Sequence, residues 1–445
     1  MKPKQTNHVN RRHFLKAAGA AIILPTILPG CAFGRGGKAP PSGKINMGVV
    51  GWGMQGPSNT RSFLVENDCH VVAACDLDKD ALAAAVGTVN EHYGNQDCAV
   101  PDHWHALVAT EAAGRGLDIY GEKPLAKTIA EQQAIVHAVE KHKIIWQTGS
   151  WQRSQPTFHK AAEIVRSGLI GEVTHVEVGL PAGHNDFKHT KPELVEKLKA
   201  LNIDDLSTIR PGSEAWKIAV TAPPPELDYE TWIGPSKMEE YIKQRVHMNW
   251  RWNYNTGGGQ LLDWVGHHVD IAHWGLGFDN EGPSEIEGHG EFPAPDALWN
   301  TCTKYRIELK YPRNITMTIA GGHNDIRSGT KWIGTEGWVW VDRGGFDASN
   351  PEWKKGKSLP EELRKVKLYD SPGHWRNFLD CIKSRQPTIA PAQTAHHSAI
   401  PGHLGLISML TGRKINWDAK HEKIIGDADA SKLLTRTYRP PLHLA

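Results

Sequence analysis

The chain has 445 residues, with 51 Lys and Arg against 49 Asp and Glu, 44 Gly and 17 Trp. Its 39% hydrophobic content belongs to a globular protein of two or three domains, and excludes disorder, collagen-like repeats and a multi-span membrane protein. The balanced charge leaves no basic footprint for nucleic acid. Trp outnumbers both Phe and Tyr, at 9 each, as would suit a site that stacks on the flat apolar faces of sugar rings.

Residues 1–31 read as an export leader. Asn10-Arg11-Arg12-His13-Phe14-Leu15-Lys16 followed by the apolar run Ala17–Leu28 has the form of a twin-arginine signal, which implies a periplasmic protein. The apolar run is too short to span a bilayer. Leu28-Pro29-Gly30-Cys31 resembles a lipobox and leaves two alternatives open, lipidation of Cys31 or ordinary cleavage near Ala32. Residues 32–44, rich in Gly and Pro, read as a tether. The six Cys form no Cys-x-x-Cys pair, so the others are expected to act as small buried apolar side chains.

A dinucleotide-binding domain is expected over 45–150. Strand Ile45–Val50 runs into Gly51-Trp52-Gly53-Met54-Gln55-Gly56 and a helix, then strand His70–Cys75 ends at Asp76. In that context Gly51 permits the turn, Gly53 lets backbone approach a pyrophosphate, and Gly56 lets helix pack on sheet. Asp76 would hold ribose hydroxyls, which favours NAD over NADP. Only residues 77–100 separate Asp76 from Pro101-Asp102-His103-Trp104-His105, so the domain is expected to be one strand–helix unit short. Helix Leu107–Arg115, strand Leu117–Tyr120, Gly121-Glu122-Lys123-Pro124, helix Ile129–Lys141 and strand Ile144–Thr148 follow.

From 151 to 445 a second domain is expected to supply the substrate side and subunit contacts. Strands are predicted at Thr174–Leu180, Thr301–Tyr311, Ile315–Ala320, Lys331–Thr335 and Trp338–Asp342, with helices over Gly257–Trp274, His374–Lys383 and Ala395–Leu410. Residues 184–246 are polar and weakly periodic and read as an insertion. Asp263 and His267 are four apart and share a helix face. Arg153, Trp252 and His268 are candidates for the substrate side. No zincin spacing occurs, so no metal is expected.

These motifs, in order, resemble the Gfo/Idh/MocA oxidoreductases, the glucose–fructose oxidoreductase and inositol dehydrogenase family. The resemblance rests on Gly51–Gly56, Pro101–His105, Glu122-Lys123-Pro124, Gln152-Arg153, Gly257-Gly-Gly259 with Asp263 and His267, and Ile333–Gly337. It implies an α/β chain: a Rossmann-type parallel sheet, then a domain with a large open antiparallel sheet. It further implies a nicotinamide cofactor, a sugar or polyol substrate and a homo-oligomer. Lys123, Asp263 and His267 would carry the chemistry. Pro101 and His105 would line the nicotinamide, beside Glu122 and Lys123. The leading expectation is oxidation of a sugar, glycoside or polyol hydroxyl by tightly held NAD. The alternatives are a redox-neutral glycosidase, like the NAD-dependent α-N-acetylgalactosaminidases, and a non-catalytic sugar-binding lipoprotein on a decayed nucleotide fold.

Overall fold

The computed structural model describes residues 43–98, 105–183 and 192–443. The export leader, Cys31 and Pro101 therefore lie outside the described residues. So do the side chain of His105 and the segment 184–191.

The first unit begins with β1 (Ile45–Val50), α1 (Gly56–Leu64), β2 (Cys69–Cys75) and α2 (Lys79–Tyr93). Asp78 caps α2 by accepting from the Asp80 and Ala81 N–H groups at 2.9 and 3.1 Å, which satisfies donors the helix leaves unpaired. Gly94 closes the helix in the left-handed conformation, φ 67°. Then come α3 (His105–Gly114), β3 (Ile119–Gly121), α4 (Ile129–His142) and β4 (Trp146–Thr148). A Thr128/Glu131 capping box starts α4.

The strands here make two separate parallel pairs, β1 with β2 and β3 with β4. A continuous Rossmann sheet needs a strand between them. Among the described residues none stands there, in keeping with the short 77–100 stretch.

Next come α5 (Pro156–Arg166) and β5 (Val173–Leu180). Short helices at Pro192–Ala200, Glu214–Ala219 and Tyr229–Ile233 precede α6 (Gly259–Leu276). Strands β6 (Glu285–Glu291), β7 (Lys304–Lys310), β8 (Thr316–Gly321), β9 (Gly329–Gly334), β10 (Gly337–Asp342) and β11 (Gly345–Ala348) follow. The chain ends with α7 (His374–Ser384), α8 (Ala392–Thr411), β12 (Ile415–Asp418), β13 (Lys423–Ile424) and a short helix at Ala428–Lys432.

The large sheet has the order β11-β10-β9-β5-β8-β7-β6-β12-β13. It is open, as expected, but mixed rather than wholly antiparallel, because β5 pairs parallel with β8. Strands β8 and β9 straddle β5, joined by the short connection 322–328, and run in opposite directions. A strand lodged between them must be parallel to one.

Helix α6 is buried on nearly every face, its polar side chains included. Val265, Val269 and Ile271 join Phe158 of α5 and Val176 and Val178 of β5 in the main core, each such side chain stabilising by roughly 1.5–3 kcal/mol. On its other side lies α8. A Cβ on Gly402 would collide with Val265, and one on Gly405 with Ile307. Gly402 is there because α8 approaches α6, and Gly405 because α8 approaches β7, too closely for a side chain. The described part of the 184–246 insertion builds a core of its own from Leu198, Leu206, Ile209, Trp216 and Ile242 around Trp252 and Trp299. It also reaches the first unit, where the Lys79 N–H donates to Glu226 O at 2.9 Å and the Asp228 N–H to Leu77 O at 3.1 Å.

Candidate active site

The glycine turn after β1 has the shape that a nucleotide phosphate requires. Gly51 has φ +88°, and a Cβ on Gly56 would overlap the Gly51 carbonyl oxygen. A Cβ on Gly53 would meet nothing within 4 Å, so the space above that residue is open to a ligand. The N-terminus of α1 carries no side-chain cap, which leaves N–H groups and the positive helix end facing that space. Met54 is exposed beside it. At the tip of β2, Asp76 accepts from the Trp52 N–H at 2.6 Å and the Asp78 N–H at 2.9 Å. The carboxylate is thus fixed against the glycine turn, with lone pairs left for ribose hydroxyls. These residues fit a dinucleotide.

Glu122 and Lys123 follow β3. Asn59 on α1 donates to Glu122 Oε1 at 2.7 Å, and Trp375 of α7 donates to Asn59 Oδ1 at 3.2 Å. Burial raises the Glu122 carboxyl above its usual range, opposed by Asn59 and Lys123. Lys123 sits before a cis proline. Its ammonium crosses to α6 and donates to Asp263 Oδ1 at 3.1 Å and to the Asp263 carbonyl at 3.3 Å. Helix and loop come this close because residue 266 is glycine: a Cβ there would lie 3.2 Å from Lys123 Cβ. Ser150 ties the contact by donating to the Gly266 carbonyl at 2.9 Å.

His267 lies one turn beyond Asp263. It is 3% exposed, and its Nδ1 is buried without a hydrogen-bond partner. Burial first, then Lys123, Arg343 and His268, push its pKa well below the usual imidazole range. The ring is therefore neutral at pH 7. Arg251 adds a second cation, its Nη2 lying 3.7 Å from Asp263 Oδ1.

The three substrate-side expectations fare differently. Arg153 is internal, not a substrate anchor. Its guanidinium is 3% exposed, and it donates to both oxygens of Asp270 at 2.7 and 2.9 Å and to Asp279 at 2.7 Å. Burial works against its charge, but the two carboxylates overcome it and raise its pKa. Trp252, 2% exposed, belongs to the core of the insertion rather than to a sugar platform. His268 is fully buried behind the site. Its Nε2 is 3.3 Å from Asp342 Oδ1, and its ring stacks on Trp264. In each case a polar or aromatic group found internal partners, a pairing that spacing in the chain does not reveal.

The site also contains residues the sequence did not single out. Asn59 fixes Glu122, and Arg251 faces Asp263. Arg343, at the tip of the β10–β11 hairpin, sits over the rings of Trp151 and Trp264, 4.6 and 4.7 Å from their centroids. Among the described residues no group of three His, Cys, Asp or Glu side chains could hold a metal ion. No described helix is long and apolar enough to cross a membrane.

A Rossmann-type glycine turn joined to a large mixed sheet, with a lysine and an Asp–His helix face between them, defines the class of two-domain dehydrogenase-like folds. Residues 212–444 match the C-terminal α/β domain of the Gfo/Idh/MocA oxidoreductase family, and the chain belongs to that family. It is similar to a glycosyl hydrolase family 109 protein of Shewanella pealeana, at 26% identity over 209 residues, which is 38% of this chain and 45% of that protein. It is also similar to inositol 2-dehydrogenase 1 of Saccharopolyspora erythraea, 32% identical over 145 residues, or 29% of this chain and 43% of that one. The matches thus span a little under half the length of these curated relatives. In fold it is similar to the aldose–aldose oxidoreductase of Caulobacter crescentus solved with glycerol. That TM-score is 0.56 at 15% identity, over 84% of this chain and 99% of the other. An Agrobacterium radiobacter oxidoreductase solved with NAD+, L-tartaric acid and magnesium gives a TM-score of 0.53 at 14% identity, over 84% and 98%.

Proposed function

We propose that this chain is an NAD-dependent oxidoreductase that takes a hydride from a hydroxyl-bearing carbon of a sugar, glycoside or polyol. The observation that carries this reading is the meeting of Lys123 with Asp263, 140 positions apart in the chain, with neutral His267 one turn further on. The Gly51–Gly56 turn and Asp76 would hold the dinucleotide, and Glu122 and Lys123 would border its nicotinamide end. Bound nicotinamide supplies the hydride acceptor. Oxidation of the alcohol also needs a base for the hydroxyl proton and a cation for the developing alkoxide. His267 is the base. Lys123, oriented by Asp263, is the cation.

A second reading has support from the relatives named as glycosyl hydrolase family 109 proteins. On it the same groups oxidise a glycoside transiently, the neighbouring C–H becomes acidic, the aglycone is eliminated, water adds and the hydride returns. Product analysis separates the two. The purified protein with NAD and candidate glycosides is expected to give a keto-sugar and reduced nicotinamide. Released aglycone without net reduced nicotinamide would move the assignment to the second reading.

A twin-arginine leader over residues 1–31 would send the working enzyme to the periplasm, where little free NAD would be available. We therefore take the cofactor to be bound before export and re-oxidised in place by a second carbonyl compound. Assembly as a homo-oligomer belongs to the same reading.

A further inference from the structure

Arg343 is an exposed residue at the tip of a hairpin, yet its guanidinium lies over two indole rings. Trp151, just after β4, and Trp264, on α6, lie against it at 4.6 and 4.7 Å. Stacking of this kind fixes the plane of a guanidinium and leaves its N–H edge free. Among the described residues no carboxylate lies within ion-pair distance of that edge.

The nearest acids are already committed. Asp342 accepts from the Arg343 backbone N–H at 2.7 Å and from Ser328 Oγ at 2.9 Å, and its Oδ1 is 3.3 Å from His268 Nε2. Asp263 faces Lys123 at 3.1 Å and Arg251 at 3.7 Å. This end of the site thus carries three cations, Lys123, Arg251 and Arg343, and its carboxylates are engaged elsewhere: Asp263 by Lys123 and Arg251, Glu122 by Asn59, and Asp342 by Ser328 and His268. The clamp is one ring from the chemistry, since Trp264 also stands edge-on to His267 with centroids 5.4 Å apart.

We propose that Arg343, bracketed by Trp151 and Trp264, is a subsite for an anionic substituent, so that the substrate is an acidic sugar such as a uronic acid or its glycoside. A planar N–H edge held open matches the two oxygens of a carboxylate, the geometry of the strong bidentate pairs. A sulfate ester presents the same chemistry. This proposal rests on the reading of Lys123 and His267 as the reacting end of the pocket.

The test is calorimetric binding to the full protein, with and without NAD, of methyl glucuronide, methyl glucoside and methyl glucoside 6-sulfate. The unmodified protein is expected to bind the uronide at least about tenfold tighter than the neutral glucoside. In Arg343→Gln that ratio should fall to near one, and Arg343→Lys should recover part of it. Because Arg343 is exposed, both variants should melt with the unmodified protein. A sulfate ester that binds as tightly as the uronide identifies an oxyanion subsite, whereas a weaker one identifies a carboxylate subsite. Equal binding of charged and neutral glycosides, or a preference that survives in Arg343→Gln, overturns the proposal. Uronide binding without nicotinamide reduction would overturn the oxidoreductase reading alone.

Discussion

At the scale of residues, the site depends on a few groups whose burial sets their charge. On the proposed reading, Lys123→Ala removes the cation that would face the reacting oxygen. Its kcat should fall by about 10²–10⁴-fold in protein shown by circular dichroism to be folded, and a variant with full turnover would remove Lys123 from the chemistry. Asp76→Ala should weaken NAD by about 10–100-fold in a calorimetric titration, the loss expected for hydrogen bonds to an ionised group. Three other buried histidines govern acid stability. Burial lowers His273 and His403 to about 3 and His374 to about 4. Each is neutral when folded and binds a proton more readily when unfolded. Stability is therefore full above pH 6.5 and declines as pH falls towards 3–4, by about 2 kcal/mol per histidine at pH 5. Thermal melts from pH 7 to 4 should show that decline, and His403→Asn should flatten it. Lys123, Asp263 and His267 were legible because motif and helix periodicity mark them. Arg153 was misread because its partner Asp279 lies 126 positions away, and Arg343 was passed over because nothing in the chain ties it to Trp151.

At the scale of elements, alternation and helical periodicity located most strands and helices to within a residue or two. Strand β1 matches the expectation at both ends, Ile45 and Val50. The start of β7 was put three residues early, at Thr301, because the apolar pattern runs on into a loop held by the Asn300 and Thr301 N–H groups on the Trp252 carbonyl. The direction of β5 against β8 was not legible, since pairing depends on which connection crosses over. The closeness of α8 to α6 and to β7 also escaped the sequence, although Gly402 marks the first and Gly405 the second. Gly402→Val would force a side chain into Val265 and should destabilise by about 1–3 kcal/mol in denaturant unfolding. A neutral result would mean that α8 can move away from α6 without loss.

For the whole molecule, the contrast is between one continuous nine-stranded sheet and a nucleotide unit made of two separate strand pairs. The shortfall between Asp76 and Pro101 was legible by counting residues. How the unit holds together when its described strands form only two pairs was not, because the contacts that secure it come from far along the chain. Arg376 of α7 binds Asp68 at 2.6 and 2.9 Å, and Arg436 and Tyr438 both reach Glu131 on α4, at 2.7 and 2.6 Å. With so few ladder bonds, amides of β1–β4 should exchange with solvent faster than those of β5–β10, and NAD should slow them. A ligand that binds only the folded form stabilises it by mass action. The glycine turn, Asp76 and the Lys123–Asp263 contact have a shared purpose only if a nicotinamide dinucleotide is present. The most direct measurement is the mass spectrum of small molecules released on denaturing the protein purified from the cells that make it. NAD released at close to one per chain is the predicted result. A protein that releases no nicotinamide, and takes up none in a calorimetric titration, would contradict the account and leave a sugar-binding protein on an empty nucleotide fold.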